Sequence, residues 1–276
     1  MILTFKTTEG TISMCGKTGS QYALKSVTGL GLPEKNYEYI SYYGSDGKTT
    51  LSSYLSSRVI TISGDIYNCN KQIMRKTMKI LYSEGTLTVH DETFIKEITY
   101  KPLSFEFTER HGSIQSFAFQ IECDYPYFQD VRFTQKDIYT KTNNISSPFT
   151  LPAVFSNRTS IATVVNSGDV KVYPVFVISS SSNESATGNY TLNNLLTNAS
   201  LTMYFTCDKG EEITIDTSKR TITSNLKGNI VHSLKNGAMS DFYLQKGENI
   251  IECLCDNITA SPYGAVLFKN CYMEAL

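Results

Sequence analysis

The chain has 276 residues, 41% of them hydrophobic and 18% charged, which is enough apolar material for one or two hydrophobic cores. Its charge is balanced at 25 Lys and Arg against 26 Asp and Glu, so it lacks the basic surplus of a nucleic-acid-binding protein. No apolar run approaches the ~18 residues that a membrane helix needs, and the first residues turn polar too soon for a signal peptide.

Short strands separated by turns are predicted in the first part of the chain. They lie at residues 2–6, 10–15, 21–28, 58–66 and 85–89. The stretch 34–57 is predicted as a tyrosine-rich loop, because it contains a Gly-Ser-Asp-Gly turn and no sustained alternation.

A single helix is predicted over residues 70–83, because apolar side chains recur there at intervals of four. Asn68 or Asn70 is expected to cap its start, and Gly85 to close its end. The four basic residues of this segment fall elsewhere on the helix and are expected to face solvent.

A long hairpin is predicted next. Its outgoing arm covers 94–100 and 103–108, residues 111–113 form the turn, and 114–123 form the return arm. The apolar and aromatic side chains of the two arms are Ile95, Ile98, Tyr100, Phe105 and Phe107 on the outgoing arm and Phe117 and Phe119 on the return arm. Such a hairpin either packs over a core or projects towards a partner.

The return arm ends in an aromatic bend. Residues 117–123 alternate between apolar and polar side chains, as expected for a strand with one buried face. Pro126 then ends the strand, because it has no N–H to donate and its φ is fixed. We interpret Tyr125, Pro126, Tyr127 and Phe128 as the exit from a first domain; the alternative is an ordinary strand end before a loop.

The remainder of the chain is predicted to be almost entirely β. We expect an N-terminal domain at 1–130, a linker at 131–150 and a β-sandwich or jelly roll at 151–276. Predicted strands lie at 159–166, 172–179, 200–206, 212–216, 221–224, 241–244 and 249–255. Ile213, Ile215 and Ile222 are expected in the core of the sandwich, and 179–189 is expected to be a soft polar loop. The fold class is thus mainly β, with an α+β first domain.

Residues that could carry chemistry are few. The three histidines stand alone, no catalytic or nucleotide-binding motif occurs, and no pair of carboxylates is nominated for glycoside hydrolysis. Cys253 and Cys255 share a face, but no second pair or neighbouring histidine completes a metal site. Seven irregularly spaced cysteines favour a reducing compartment. We therefore expect no enzyme activity, no cofactor and no metal.

An ordered set of motifs resembles the distal tail proteins of long-tailed phages and related prophage tails. In the first domain these are Gly29-Leu30-Gly31, Arg58-Val59-Ile60-Thr61-Ile62-Ser63-Gly64, Gly85-Thr86-Leu87 and Phe119-Gln120-Ile121-Glu122-Cys123-Asp124-Tyr125-Pro126-Tyr127-Phe128. In the second they are Asn166-Ser167-Gly168-Asp169-Val170, Tyr173-Pro174, Ile213-Thr214-Ile215-Asp216-Thr217, Arg220-Thr221-Ile222 and Phe242-Tyr243-Leu244-Gln245-Lys246-Gly247-Glu248-Asn249. The stretches 34–57 and 256–276 match no such motif.

The resemblance implies a hexameric ring at the virion tail tip, assembled in the cytoplasm of the bacterial host, with an outward-pointing galectin-like sandwich. Its implied partners are further copies of the chain, the tail tube protein, the tail-associated hub or lysin protein, the tape-measure protein and receptor-binding proteins. DNA would only pass through the channel, and no membrane is involved. The long hairpin supplies the candidates for the ring interface: Ile98, Tyr100, Phe105, Phe107, Phe117 and Phe119.

Two other functions remain as alternatives. One is a carbohydrate-binding module for host adsorption, with Tyr190 and Tyr204 as possible sugar contacts. The other is a glycan-cleaving enzyme. The absence of tryptophan, the largest stacking side chain, weakens the sugar hypothesis, and 18 tyrosines keep it open.

Overall fold

A computed structural model describes residues 1–16, 20–44, 46–143, 156–180, 185–256 and 262–275. The chain divides into two compact units. Met1–Val131 and Tyr272–Leu276 form the first, and Arg132–Cys271 form the second. The second unit is therefore inserted into the first, and the backbone passes from one to the other twice.

The first unit contains a helix among strands. Its elements are β1 (Ile2–Thr7), β2 (Gly10–Cys15), β3 (Tyr22–Thr28), β4 (Lys35–Ile40), β5 (Thr49–Leu55), β6 (Arg58–Ile66), α1 (Lys71–Leu81), β7 (Gly85–His90), β8 (Ile95–His111), β9 (Ile114–Cys123) and β10 (Phe128–Asp130).

The second unit is built from strands and two short 3-10 turns, Val231–Ser233 and Met239–Asp241. The strands are β11 (Thr134–Asn143), β12 (Ser156–Thr159), β13 (Ile161–Asn166), β14 (Val175–Ser180), β15 (Ala186–Asn194), β16 (Ala199–Cys207), β17 (Glu212–Asp216), β18 (Thr221–Ser224), β19 (Gly228–Asn229), β20 (Leu234–Asn236), β21 (Gly247–Cys255) and β22 (Pro262–Phe268). The last strand, β23 (Cys271–Tyr272), leads back into the first unit.

Seven strands of the first unit hydrogen-bond in a closed circuit. The order is β8-β7-β1-β2-β3-β6-β9, and β9 pairs again with β8, while β10 and β23 extend the sheet beyond β8. Strand β8 closes the circuit because residues 95–100 pair with β7 and residues from 101 onward pair with β9. Alternate side chains of these strands point inwards, as the period-two pattern predicts, and form one buried core.

Helix α1 confirms the predicted helix. The Asn70 side chain caps it by accepting a hydrogen bond of 2.9 Å from the backbone N–H of Ile73, and the helix ends at Leu81. Gly85 does not close the helix as predicted but begins β7. A side chain at Gly85 would collide with the carbonyl oxygen of Lys6 on β1, so strand pairing requires glycine there.

The prediction of a loop over 34–57 was wrong. Strands β4 and β5 form a separate two-stranded hairpin with a register shift between Glu38 and Tyr39. The tyrosines that obscured the pattern in the sequence lie on both faces of this hairpin, and most are exposed. With no buried face, the stretch shows no apolar–polar alternation, although it is extended and paired.

Two sheets form the second unit, which confirms the predicted mainly β fold. One has the order β12-β11-β22-β14-β17-β18-β19 and the other β13-β21-β15-β16-β20. Ile213, Ile215 and Ile222 are fully buried, as expected from their parity. The buried faces of both sheets supply the core, which is the arrangement of a β-sandwich.

Three predictions in the second unit need correction. Residues 134–143 were predicted as part of a linker, yet they form β11 and pair with β22; among 134–138 only Ile138 is buried, so the apolar signal was missing. Strand β15 begins at Ala186, inside the predicted polar loop 179–189, of which 181–184 lie outside the described residues. Residues 241–244 hold the end of a 3-10 turn and one isolated bridge instead of a strand.

A buried carboxylate joins two turns of the second unit. Glu211 is fully buried; its carboxylate accepts hydrogen bonds from the backbone N–H of Asp208 at 2.8 Å and from the hydroxyl of Ser224. The Nζ atom of Lys227 lies 2.7 Å from a carboxylate oxygen of Glu211 and 2.8 Å from a carboxylate oxygen of Asp208. Burial alone would raise the pKa of Glu211, but these hydrogen bonds and the ammonium of Lys227 lower it below the ordinary value.

This lowered pKa predicts a loss of stability in acid. Ionised Glu211 stabilises the fold above the pKa it has in the unfolded chain, and that stability is lost as the pH falls from about 5 through the lower folded pKa. Glu211→Gln should therefore unfold more easily than the native chain at pH 7 and show a shallower decline in acid. Urea unfolding between pH 7 and pH 3 measures both, and Glu212→Gln, an exposed neighbour, is the control. Parallel curves for Glu211→Gln and the native chain would contradict the prediction.

Candidate functional site

An open cleft of about 380 Å³ lies between α1 and β8 in the first unit. Met78 on α1 and Tyr82, the residue directly after α1, line one side, and Ser104, Phe105 and Glu106 line the other. Met78 is 46% exposed and Tyr82 60%. Contiguous exposed apolar surface of this kind is typical of a site that another protein covers.

The hairpin β4–β5 is a second exposed apolar surface of the same unit, and we call it the tyrosine hairpin. Its exposed large side chains are Tyr37, Tyr39, Tyr42, Tyr43, Leu51 and Tyr54. The rings of Tyr37 and Tyr39 stack with centroids 6.1 Å apart, and the ammonium groups of Lys35 and Lys48 lie over them at 5.3 and 5.5 Å. Ring-on-ring and cation–π contacts therefore organise this surface before any partner binds.

Four of the six predicted ring-interface residues lie in the core of the unit itself. Ile98, Tyr100, Phe117 and Phe119 are buried, so no surface of theirs is left for a neighbouring subunit. The hairpin of β8 and β9 packs over its own core instead of projecting, and Phe119 contacts Tyr100 with ring centroids 6.3 Å apart. For these four residues the prediction was wrong.

Phe105 and Phe107 remain candidates for the ring interface, because both are only partly buried. Their rings meet edge to face at 5.0 Å, and Phe105 stacks on Phe117 at 5.8 Å. Phe105 thus rests on the core with one part and lines the cleft with another.

Arg58 is a buried arginine at the start of β6, and its role was not foreseen. Its guanidinium donates to four carbonyl oxygens, which belong to Gly29 at 2.6 Å, Gly31 at 2.5 Å, Pro126 at 2.9 Å and Met273 at 2.5 Å. Burial lowers the pKa of Arg58, but arginine titrates so high that it stays charged. The available signal was a cation at the same strand parity as the buried Ile60 and Ile62.

The predicted exit residues divide into two kinds. Pro126 and Phe128 are buried, and the guanidinium of Arg58 lies 4.8 Å from the centroid of the Phe128 ring. Tyr127 is half-buried and meets Tyr125 edge to face at 5.0 Å, while Tyr125 is exposed. The bend is therefore anchored through Pro126 and Phe128.

The two possible sugar contacts lie on opposite faces of one sheet. Tyr190 is fully buried and stacks on Phe205 with centroids 4.2 Å apart, so it cannot touch a ligand in solution. Tyr204, on the adjacent strand, is about half exposed. The prediction of a sugar contact was wrong for Tyr190, because its parity follows that of the buried Leu192.

No group of three His, Cys, Asp or Glu residues is arranged to hold a metal ion in the part of the chain that the structure describes. Burial raises the pKa of the Cys123 thiol, and likewise that of Cys253, to about 12, so both stay protonated. None of the helices described is long and apolar enough to cross a membrane.

Comparison with known proteins gives a family match in the second unit and a similar fold for the chain. The family of siphovirus-type tail components, C-terminal domain, matches residues 167–268. The crystal structure of Dit from phage SPP1, described as a paradigm of the hub adsorption apparatus in phages that infect Gram-positive bacteria, is similar with a TM-score of 0.68. Its identity is 12%, over 91% of this chain and 93% of that one. The phage P2 baseplate in its activated, Ca-containing conformation is similar over 96% of both chains, with 11% identity and a TM-score of 0.54. No curated protein sequence matches the chain.

A two-unit β protein with this C-terminal domain and this fold is a structural component of a phage tail. It is located at the tail tip of the virion. Residues 167–268 thus carry the C-terminal domain of siphovirus-type tail components, and the fold of the chain is similar to that of the SPP1 Dit protein.

The packing of Phe128 predicts a large loss of stability on truncation. Phe128→Ala should lower the free energy of unfolding by about 3 kcal/mol, because it leaves a cavity in the core and removes the ring beneath Arg58. Tyr125→Ala, three residues earlier and exposed, is the control and should change little. Equal urea midpoints for the two variants would contradict this account of the bend.

Replacement of Arg58 should lower the free energy of unfolding at least as much as truncation of Phe128. Arg58→Met leaves four carbonyl oxygens without their donor, which should cost on the order of 3 kcal/mol or more in urea unfolding. Arg58→Lys keeps the positive charge but lacks the planar guanidinium, so its free energy of unfolding should lie between that of the native chain and that of Arg58→Met. Arg75→Met, on the exposed side of α1, serves as the control. A stability of Arg58→Met equal to that of the control would show that the four hydrogen bonds contribute nothing.

Proposed function

We propose that copies of this chain form a closed ring at the tail tip through their first units, and that the ring joins the tail tube to the central hub. The observation that carries the proposal is that the first unit has two exposed apolar surfaces of different shape. The cleft lined by Met78, Tyr82 and Phe105 is concave. The tyrosine hairpin is a separate two-stranded element, and no other strand of the described residues pairs with either of its edges.

Two different surfaces on one unit favour head-to-tail contacts. If the tyrosine hairpin of one copy docks in the cleft of the next, every copy uses both surfaces, and the chain of contacts closes when the rotation allows it. In the part of the chain that the structure describes, the seven strands of the closed circuit leave no edge to compete for this contact, because each of them pairs on both sides. Six subunits is the number implied by the family resemblance.

The balanced charge of the chain is compatible with a ring whose channel lets DNA pass. DNA that passes through a channel must not be held by phosphate contacts, and a basic lining would hold it. With 25 basic and 26 acidic residues, the chain has no surplus for such a lining. The partners that the family resemblance implies for the ring faces are the tail tube protein, the tape-measure protein and the hub or lysin protein, and we propose them here.

The second unit offers a surface for receptor-binding proteins. Ile161, Val165, Ile250 and Leu254 are all more than 40% exposed on the outer face of the β13-β21-β15-β16-β20 sheet. Thr163 pairs with Ile250, which places Ile161 and Val165 diagonally beside it. This apolar group on an otherwise polar sheet face is the proposed docking surface.

The ring predicts a specific pattern of masses in solution. Light scattering of the full chain should give six times its mass of 30.9 kDa. A cleft variant, Met78→Lys with Tyr82→Lys, and a hairpin variant, Tyr37→Ser with Tyr39→Ser, should each be monomeric, because each lacks one side of the contact. Tyr204→Ser, on the second unit, is the control and should remain a ring.

Mixing the two variants is the sharper test. The cleft variant keeps an intact hairpin and the hairpin variant keeps an intact cleft, so one contact can form and the mixture should give dimers. A native chain that is monomeric at high concentration would refute the ring. A ring that survives in both variants would refute these contacts.

A further inference from the structure

One face of the tyrosine hairpin carries positive charge. Lys35, Tyr37 and Tyr39 point to the same side, because successive side chains of a strand alternate, and the two tyrosine rings stack. The ammonium of Lys35 lies over the ring of Tyr37, and that of Lys48, just before β5, lies over the ring of Tyr39. Asp46 lies in the turn between the strands. We call this side of the hairpin, with its two ammonium groups, the cationic face.

The opposite face of the hairpin is anionic. Glu38 points away from the stacked tyrosines, and its carboxylate accepts a hydrogen bond of 2.7 Å from the hydroxyl of Ser52, the residue paired with it on β5. Glu34 has the same parity as Glu38, and its carbonyl oxygen accepts from the backbone N–H of Ser56 at 3.1 Å, so the pairing extends to this residue. Both glutamates are exposed, and Tyr54, with the parity of Ser52, adds an exposed ring. We call this side the anionic face.

The cleft of the same unit also has two walls of different charge. On the β8 wall, Glu106 is exposed and is the only charged residue among the five that line the cleft. On the α1 wall, Arg75 precedes Met78 by one turn, and Lys71 precedes Arg75 by another. Residues three and four apart are neighbours on a helix surface, so these two cations extend the wall that Met78 begins.

The two cations of the α1 wall are available to a partner. Helix α1 has four basic residues and no acidic one. Lys79 is paired with Glu9 at 2.5 Å, whereas Arg75 and Lys71 are exposed and form no ion pair within the described part of the chain. An unpaired basic row beside an apolar cleft wall fits a protein surface that carries both carboxylates and an aromatic ring. The anionic face of the hairpin is such a surface.

We propose that the tyrosine hairpin of one copy enters the cleft of the next in a single orientation, with its anionic face on α1 and its cationic face on β8. This inference rests on the proposed ring and specifies how its subunits meet. A two-stranded ribbon in a cleft presents one face to each wall, so Glu38 then lies against Arg75, and Lys48 against Glu106.

The opposite orientation is disfavoured by the same charges. A hairpin turned over by half a rotation about its long axis would set ammonium groups against the guanidinium of Arg75 and carboxylates against Glu106. Like charges brought together at an interface are strongly unfavourable, so this charge pattern rejects the wrong orientation as well as stabilising the right one. A ring closes only when every contact repeats the same rotation, and a fixed hairpin orientation provides that repetition.

Exchange of charges between the two surfaces tests the orientation. Arg75→Glu and Glu38→Arg, each alone, should raise the concentration of full-length chain needed for ring formation about tenfold, because each brings like charges together. The variant with both changes should assemble like the native chain, since the pair is restored with its signs exchanged. Light scattering and sedimentation velocity over a concentration series measure the assembly, and thermal melts confirm that each variant is folded.

A second pair and two controls make the test specific. Glu106→Lys and Lys48→Glu should behave in the same way as the first pair, each weakening the ring alone and restoring it together. Arg75→Glu combined with Lys48→Glu changes residues that meet different walls, so this combination should assemble no better than either single variant. Lys76→Glu introduces the same change on an exposed position of α1 outside the row of Lys71 and Arg75, and it should leave assembly unchanged.

The outcomes separate this proposal from that of the ring. Stronger assembly of Arg75→Glu alone would show the reverse orientation and overturn the proposal. Native rings with single variants that assemble normally, or with no rescue in either pair, would overturn the orientation and leave the ring in place. A native chain that stays monomeric would overturn both.

Discussion

One guanidinium fixes both ends of the inserted second unit. Arg58 donates to the carbonyl of Pro126, just before the backbone leaves the first unit, and to that of Met273, just after it returns. The same guanidinium also donates to the carbonyl oxygens of Gly29 and Gly31, which lie in the loop after β3. Loop closure normally costs conformational entropy that grows with loop length, and here a single buried cation restrains the two ends of a 140-residue insertion (132–271). The first unit can therefore complete its sheet around a long interruption.

Strands with one buried face were predictable to the residue. β6, β9, β17 and β18 have the bounds that their alternation predicts, because most of their buried positions share one parity and carry apolar side chains. β11 was not predicted, because nearly all of its described side chains are exposed and it therefore shows no apolar–polar alternation. In β15 the first buried positions are Ala186 and Gly188, whose small size gives no hydrophobic signal. Alternation reveals a strand only where burial is asymmetric and the buried side chains are large.

The candidate assembly surfaces were harder to predict for a different reason. Parity assigns Phe105, Phe117 and Phe119 to related positions on a hairpin, but it does not tell whether the chain itself or a partner covers them. In the structure Phe117 and Phe119 are covered and Phe105 is left partly open, because the hairpin lies across its own core. Apolar surface that is exposed in one copy becomes recognisable only when three-dimensional packing shows what remains uncovered.

The insertion also sets the order in which the two units can complete their folding during synthesis. Domains generally fold as they leave the ribosome, the N-terminal one first. Here the second unit is contiguous and complete once Cys271 has emerged, whereas the first unit still lacks Met273 and Ala275, whose N–H donates to Leu30 at 2.9 Å. The unit that starts first therefore finishes last. A polypeptide whose translation stops inside the insertion lacks the segment that completes the first unit, so that unit can close only in a chain that includes residues 272–275.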